Sequence, residues 1–151
     1  MEADHLGKKV HRLSDYCYWA SNGGVEAMKK ELETCQPLCI SCHRMVTKKR
    51  HELKRQQKGK KLPPCRIRRY AMINQKKVDI GACNTCKKVV TLDRACTFDF
   101  DHLIEKDKKI SIGNIVNSNE KTFQHFFQNE IPKCQLLCSV CHKIKTFYNK
   151  N

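Results

Sequence analysis

Apolar positions recur at two periods along this chain, and the two periods separate helices from strands. From Gly24 to Thr34, Val25, Met28 and Leu32 stand at i, i+3 and i+7, the spacing of one face of an amphipathic helix. Thr122 to Glu130 repeats the pattern with Phe123, Phe126 and Phe127, and Ile131 extends it. Core packing is the expected role of those rings. Cys96, Phe98 and Phe100 alternate with Thr97, Asp99 and Asp101, a period of two that predicts a strand ending at His102. Val89 to Leu92 reads as its partner strand, joined to it by a turn at Asp93-Arg94. A helix is predicted from Leu137 to Phe147. Another begins near Cys39, continues through residues rich in Lys, Arg and Gln, and stops at Pro63-Pro64. Arg66 to Lys77 reads as a further helix.

A repeat lies over this pattern. Residues 35–47 (CQPLCISCHRMVT) and 134–146 (CQLLCSVCHKIKT) are identical at seven of thirteen positions. Asp4-His5-Leu6 precedes the first copy and Asp101-His102-Leu103 the second. His5 stands 30 residues before Cys35, and His102 stands 32 before Cys134. A matched pair of motifs at nearly one separation predicts a duplicated unit. The expected fold class is α+β: a small zinc-stabilised unit of two strands and a helix, with extra helices, preceded by a partial, degenerate copy. The expected division is 1–58 for the first repeat and its basic helix, 59–65 for a linker, and 66–151 for the second unit.

Composition sharpens this. Units of roughly 50 to 60 residues bury too little surface to be comfortable alone, and usually need a disulfide, a metal or a partner. The chain has 11 cysteines, but no apolar stretch follows Met1 as a signal peptide would require. The cysteines fall in Cys-x-x-Cys pairs beside histidine, which reads as zinc in a reducing intracellular compartment, cytoplasm or nucleus, and not as the disulfides of a secreted protein. No apolar run of about 18 residues suggests a membrane span.

The formal charge is +15, from 30 basic and 15 acidic residues. It is concentrated. Between Arg44 and Arg69 lie Lys48, Lys49, Arg50, Lys54, Arg55, Lys58, Lys60, Lys61, Arg66 and Arg68, with only Glu52 opposing them. Such a surface suits a polyanion, most simply nucleic acid, bound through phosphates with little sequence preference. Lys143 and Lys145 join the expected contact set. The same run also suits a nuclear-import signal, which is compatible with phosphate contact, or a solvated helix face. No base-reading signature such as a C₂H₂ finger is present.

Cys83, Cys86, Cys138 and Cys141 form a Cys-x-x-Cys…Cys-x-x-Cys set, which suits a closed, structural tetrahedral zinc. Beside it, Asp101 and His142 could hold a divalent cation, Mg²⁺ or Mn²⁺. His102, on the opposite side of the strand, could take a proton from water. That combination serves phosphodiester hydrolysis. The plainer alternative makes His142 a cap on the zinc knuckle and His102 a core histidine.

Phe98-Asp99-Phe100-Asp101-His102, set between Cys83-x-x-Cys86 and Leu137-Cys138-x-x-Cys141-His142-Lys143-x-x-Thr146, resembles the zinc-bearing HNH endonucleases, the His-Me finger or ββα-metal fold. The resemblance covers about residues 66 to 147, with residues 4 to 50 as a partial second copy. It implies Asp101 and His142 as ligands of the catalytic cation and His102 as general base. The motif order is also similar to phage endonuclease VII, which implies double-stranded or branched DNA as substrate and a homodimer. Two departures stand out. The asparagine that many such proteins carry just before the last cysteine pair is replaced by Lys133 and Cys134. The first copy keeps Asp4, His5, Cys39, Cys42 and His43, but lacks both a preceding Cys-x-x-Cys and an upstream strand. Cys17 and Cys35 could complete a makeshift site with Cys39 and Cys42. Cys35 matches Cys134, however, which zinc does not need, so a packed role is expected for it. The alternative functions are a non-catalytic zinc module that binds nucleic acid on the same scaffold, and a structural protein of a nucleic-acid particle.

Overall fold

The computed structural model describes residues 2–7, 15–104 and 115–148. The chain divides into two units, Met1–His43 and Arg44–Asn151. The division falls inside one continuous helix, ahead of the 59–65 linker expected from composition.

In the first unit, β1 (Glu2–His5) pairs antiparallel with β2 (Cys35–Leu38), Asp4 opposite Gln36 and His5 opposite Cys35. Two helices separate the strands, α1 (Tyr16–Ser21) and α2 (Gly24–Glu33). Asp15 caps α1 by accepting from the Tyr18 amide. Of the apolar face expected on α2, only Met28 is turned inward. Val25 and Leu32 are exposed, and the inward stripe is Gly24, Ala27, Met28 and Glu31. This stripe also keeps the helical period, but it places a carboxylate under the sheet, where His5 receives it.

α3 (Ile40–Gln57) begins in the first unit and from Arg44 belongs to the second. None of its residues is buried. α4 (Pro64–Ile80) starts with proline in its first turn, where a missing N–H costs nothing. Next come a narrow ribbon closed by an Ala82–Val89 bridge, a 3-10 turn (Ala95–Thr97), β3 (Phe98–His102), α5 (Glu120–Asn129), β4 (Cys134–Cys138) and α6 (Ser139–Tyr148). β3 pairs antiparallel with β4, Asp101 opposite Gln135 and His102 opposite Cys134.

Three expectations are corrected here. The partner of the Phe98–His102 strand is Cys134–Cys138 and not Val89–Leu92. Val89 makes a lone bridge, and Val89 and Leu92 point to solvent. Leu137 and Cys138 therefore end a strand instead of opening a helix, and Cys96 and Thr97 lie in the 3-10 turn. The first unit also has both of its strands, because the second one is the Cys-Gln-x-Leu segment of the repeat itself.

The second unit carries the apolar core. Phe98, Phe100, Phe123, Phe126, Ile131, Leu136 and Leu137 are buried together, with Ile73 of α4 and Ile115 and Val116. The phenylalanines of α5 thus pack as expected. Strand alternation sends Phe98, Phe100 and His102 inward and leaves Asp99 and Asp101 on the outer face. Two buried cations tie α4 to this core. Lys77 Nζ donates to the carbonyls of Ala95 (3.0 Å) and Phe98 (2.7 Å). Burial lowers its pKa, partly offset by Asp99. Arg69 donates to the carbonyls of Val116 and Ser118, pairs with Glu120, and lies 5.1 Å over the Phe123 ring.

This removes Arg69 from the expected nucleic-acid surface. Arg66 and Arg68 are also engaged nearby, with Asn117 and Glu120. Arg69→Ala is expected to destabilise the unit by roughly 3 kcal/mol, because buried carbonyls lose their donor. A lowered urea midpoint of the zinc-loaded chain would register the change.

Candidate metal centres and basic surface

The ribbon before β3 places Cys83 and Cys86 at a tight turn. The Cys83 N–H donates to the Lys88 carbonyl, the Lys87 N–H returns to Cys83, and Lys87 adopts a positive φ of 58° to close the turn. The Asn84 N–H docks this turn on the Leu136 carbonyl of β4 (2.8 Å). Cys138 ends β4 and Cys141 lies one turn into α6. The four sulfurs lie within 4.8 Å of one another and could hold a metal ion. Cys86 and Cys138 Sγ are 3.7 Å apart, close to the roughly 3.8 Å edge of a tetrahedron with 2.3 Å zinc–sulfur bonds. The Cys138 N–H points at Cys83 Sγ (3.2 Å) and the Cys141 N–H at Cys138 Sγ (3.5 Å). Burial alone would raise the Cys83 thiol, but N–H groups of Cys138, Cys86 and Thr85 bring it down to about 6. Burial pushes Cys138 and Cys141 up. Four converging sulfurs with backbone donors aimed at them fit zinc.

One residue past this cluster, His142 turns toward the outer face of β3. Its Nδ1 lies 2.8 Å from Asp99 Oδ2 and its Nε2 3.6 Å from Asp101 Oδ1. Gln135, directly across the ladder, donates to Asp101 Oδ2 (3.0 Å). One Arg44 nitrogen, Nη1, donates to both Asp99 oxygens, at 2.8 and 2.9 Å, and Lys145 reaches Asp101. Burial would raise the Asp99 carboxyl, but His142 and Arg44 outweigh it and hold it below its usual range. The hydrogen bond to Asp99 raises the His142 pKa, against burial. Lys145 is therefore a half-buried partner of Asp101, whereas Lys143 is exposed.

His102 does not join this group. Its side chain is 5% exposed, on the inner face of β3, with Nε2 3.5 Å from Glu130 Oε2. Lys133 chiefly, and also His102, hold the Glu130 carboxyl below its ordinary value despite burial.

The first unit repeats these relations. His43 Nδ1 lies 2.6 Å from Glu2 Oε2, and its Nε2 3.5 Å from Asp4 Oδ1. Gln36 donates to Asp4 Oδ2 (3.2 Å), and His5 Nε2 meets Glu31 Oε1 at 2.8 Å. Cys35 gives its S–H to the Glu31 carbonyl, as Cys134 does to Glu130, each at 3.3 Å. Both thiols are thus tied to backbone oxygen. Cys39 and Cys42 form the same knuckle, the Cys42 N–H 3.4 Å from Cys39 Sγ. Among the described residues, Cys17, Cys35, Cys39 and Cys42 form no four-sulfur cluster.

Sequence reasoning missed Glu2 and Asp99 as carboxylates on the histidine, and Glu31 and Glu130 as partners of the inner histidine. A signal was present. Both copies read Glu-x-x-x-Cys-Gln, at Glu31 to Gln36 and at Glu130 to Gln135, and both place an acid two residues before the aspartate.

The basic residues of α3 are solvent-facing. Lys48, Lys49 and Lys54 are exposed, with Arg50 and Arg55 part-exposed, and Lys58, Lys60 and Lys61 are exposed beyond the helix. Among the described residues no helix is long and apolar enough to cross a membrane. Comparison with family models, curated proteins and solved structures finds no match to this chain.

Proposed function

We propose that the chain is a metal-dependent endonuclease of the HNH type that hydrolyses DNA phosphodiester bonds, with its reaction site in the second unit. The observation that supports this reading is the line Asp99–His142–Asp101. One carboxylate holds Nδ1, which leaves Nε2 turned to a second carboxylate 3.6 Å away. Carboxylates habitually orient metal-binding histidines in this way. The separation suits two ligands of one divalent cation, Mg²⁺ or Mn²⁺, and Gln135 keeps the other Asp101 oxygen in place. Such a cation, when bound, supplies positive charge to a phosphoryl oxygen and to the departing oxygen.

The remaining roles belong to side chains. His102 is the proposed base, with Glu130 behind its ring to receive the charge of a captured proton. The ring is inward-facing, so this role requires the end of β3 to open toward substrate. Lys48, Lys49, Lys54, Lys58, Lys60 and Lys61 bind phosphates without reading bases. The four-cysteine site holds structural zinc and fixes α6, and with it His142, against the strand pair.

One observation favours the alternative, a non-catalytic zinc module that binds nucleic acid. Arg44 and Lys145 already neutralise Asp99 and Asp101. Nicking of supercoiled plasmid by the zinc-loaded chain separates the two readings. Cleavage that depends on Mg²⁺ or Mn²⁺ and is lost in His102→Ala supports the nuclease. Salt-sensitive binding without cleavage supports the module.

A further inference from the structure

We propose that the first unit holds a divalent cation of its own, on Asp4 and His43, with Glu2 as the positioning carboxylate. The inference uses the same chemistry as the reaction site proposed above but different residues, so either can stand alone.

The sequence presents this half as a reduced copy, without the cysteine pair that precedes the second copy. The polar constellation is nevertheless complete. His43 Nε2 and Asp4 Oδ1 are 3.5 Å apart, against 3.6 Å for His142 and Asp101. Nδ1 is held by an acid in both units, at 2.6 Å by Glu2 and at 2.8 Å by Asp99. The histidines are equally open, with side chains 32% and 34% exposed. In both units a glutamine across the ladder fixes the other aspartate oxygen.

The apolar surroundings have diverged. α5 buries Phe123 and Phe126, whereas the one buried residue of α2 is Glu31. The same histidine–aspartate arrangement in two differently packed units is the geometry from which the site is inferred. Asp4 is buried, and its two oxygens face His43 and Gln36. One imidazole and one carboxylate, completed by water, suit a borderline-to-hard divalent cation, for which Mn²⁺ is the convenient probe.

The experiment titrates the zinc-loaded full chain with MnCl₂ and reads free Mn²⁺ by electron paramagnetic resonance. Thiolate-to-metal absorption of a cobalt-substituted sample reports that the four-cysteine fold is intact. Two Mn²⁺ per chain are expected for wild type, one for His43→Ala, one for His142→Ala and none for the double variant. Glu2→Gln should retain the site with affinity lowered about 10- to 100-fold, and it decides the matter if His43→Ala does not fold. Undiminished Mn²⁺ binding in folded His43→Ala, or full first-site affinity in Glu2→Gln, overturns the inference. A single wild-type site lost in His142→Ala overturns it while leaving the proposed reaction site intact. A single site lost only in His43→Ala supports it and removes the cation from the second unit.

Discussion

Cys83→Ser is expected to leave the second unit without a cooperative fold, and chelation of wild type should do the same. Cys83 is fully buried, and its sulfur receives the Cys138 N–H at 3.2 Å. It joins a turn with little apolar support of its own to the end of β4. Structural zinc contributes on the order of 10 kcal/mol of apparent binding free energy in small domains, more than their usual margin of stability. Zinc at about a thousandfold above its dissociation constant stabilises by roughly 4 kcal/mol, which corresponds to on the order of 15–30 °C in melting temperature for a small domain. Circular dichroism melts with and without stoichiometric zinc measure this directly. Zinc competes with protons for the thiols, so the gain should shrink as the pH falls. A variant that melts like wild type in excess zinc would show that the four sulfurs do not act as one site. Cys134→Ser is the control. Its thiol bonds the Glu130 carbonyl, and burial together with the nearby Glu130 charge raises its pKa to about 11, so zinc dependence should be unchanged.

The second large effect is expected at His142. If Nε2 is a cation ligand, His142→Ala should lower metal-dependent cleavage by roughly a thousandfold, in the range of lost catalytic groups. Asp99→Asn should cost less, about 10- to 100-fold, because it only orients the imidazole. The diagnostic is how each loss responds to metal. Raising Mn²⁺ should restore much of the Asp99→Asn activity and little of the His142→Ala activity. Arg44 complicates a simple deletion, since its hydrogen bonds to Asp99 would be lost in Asp99→Ala and reduced to one in Asp99→Asn. Arg44→Gln is therefore informative. If the guanidinium competes with the cation, this variant should bind Mn²⁺ more tightly than wild type. Equal cleavage by wild type and His142→Ala would exclude the imidazole from the reaction.

The parts readable in the chain were those set by local spacing. Two Cys-x-x-Cys pairs in one chain point to a four-sulfur site by their spacing alone, so the four zinc-type cysteines could be named without a fold. The alternation in Phe98–His102 carries its own geometry, and the inward phenylalanines follow from it. What failed was pairing. Cys-Gln-Leu-Leu-Cys is a short apolar run next to a helix, and such a run does not declare itself strand or helix by period. Its apolar residues run on into the helix after it, and Val89–Leu92 is the nearest upstream segment that can offer a partner to Phe98–His102. The same ambiguity makes the first unit look one strand short. Arg69 departs from expectation for a related reason. In sequence it ends a basic run, and only the segment at Val116 to Glu120, folded against α4, turns it inward.

The repeated motifs, the cysteine pairs and the positive charge are properties of residue identity and of spacing along the chain, and they are legible without a fold. Which groups meet depends on the folded arrangement. It set the Asp99 and Glu2 carboxylates on the outer histidines, the Glu130 and Glu31 carboxylates on the inner ones, and the long-range ladder that brings residues some 30 positions apart into one register. Strand pairing at that distance is fixed by burial of a shared face and by closure of the intervening chain, and neither leaves a local mark.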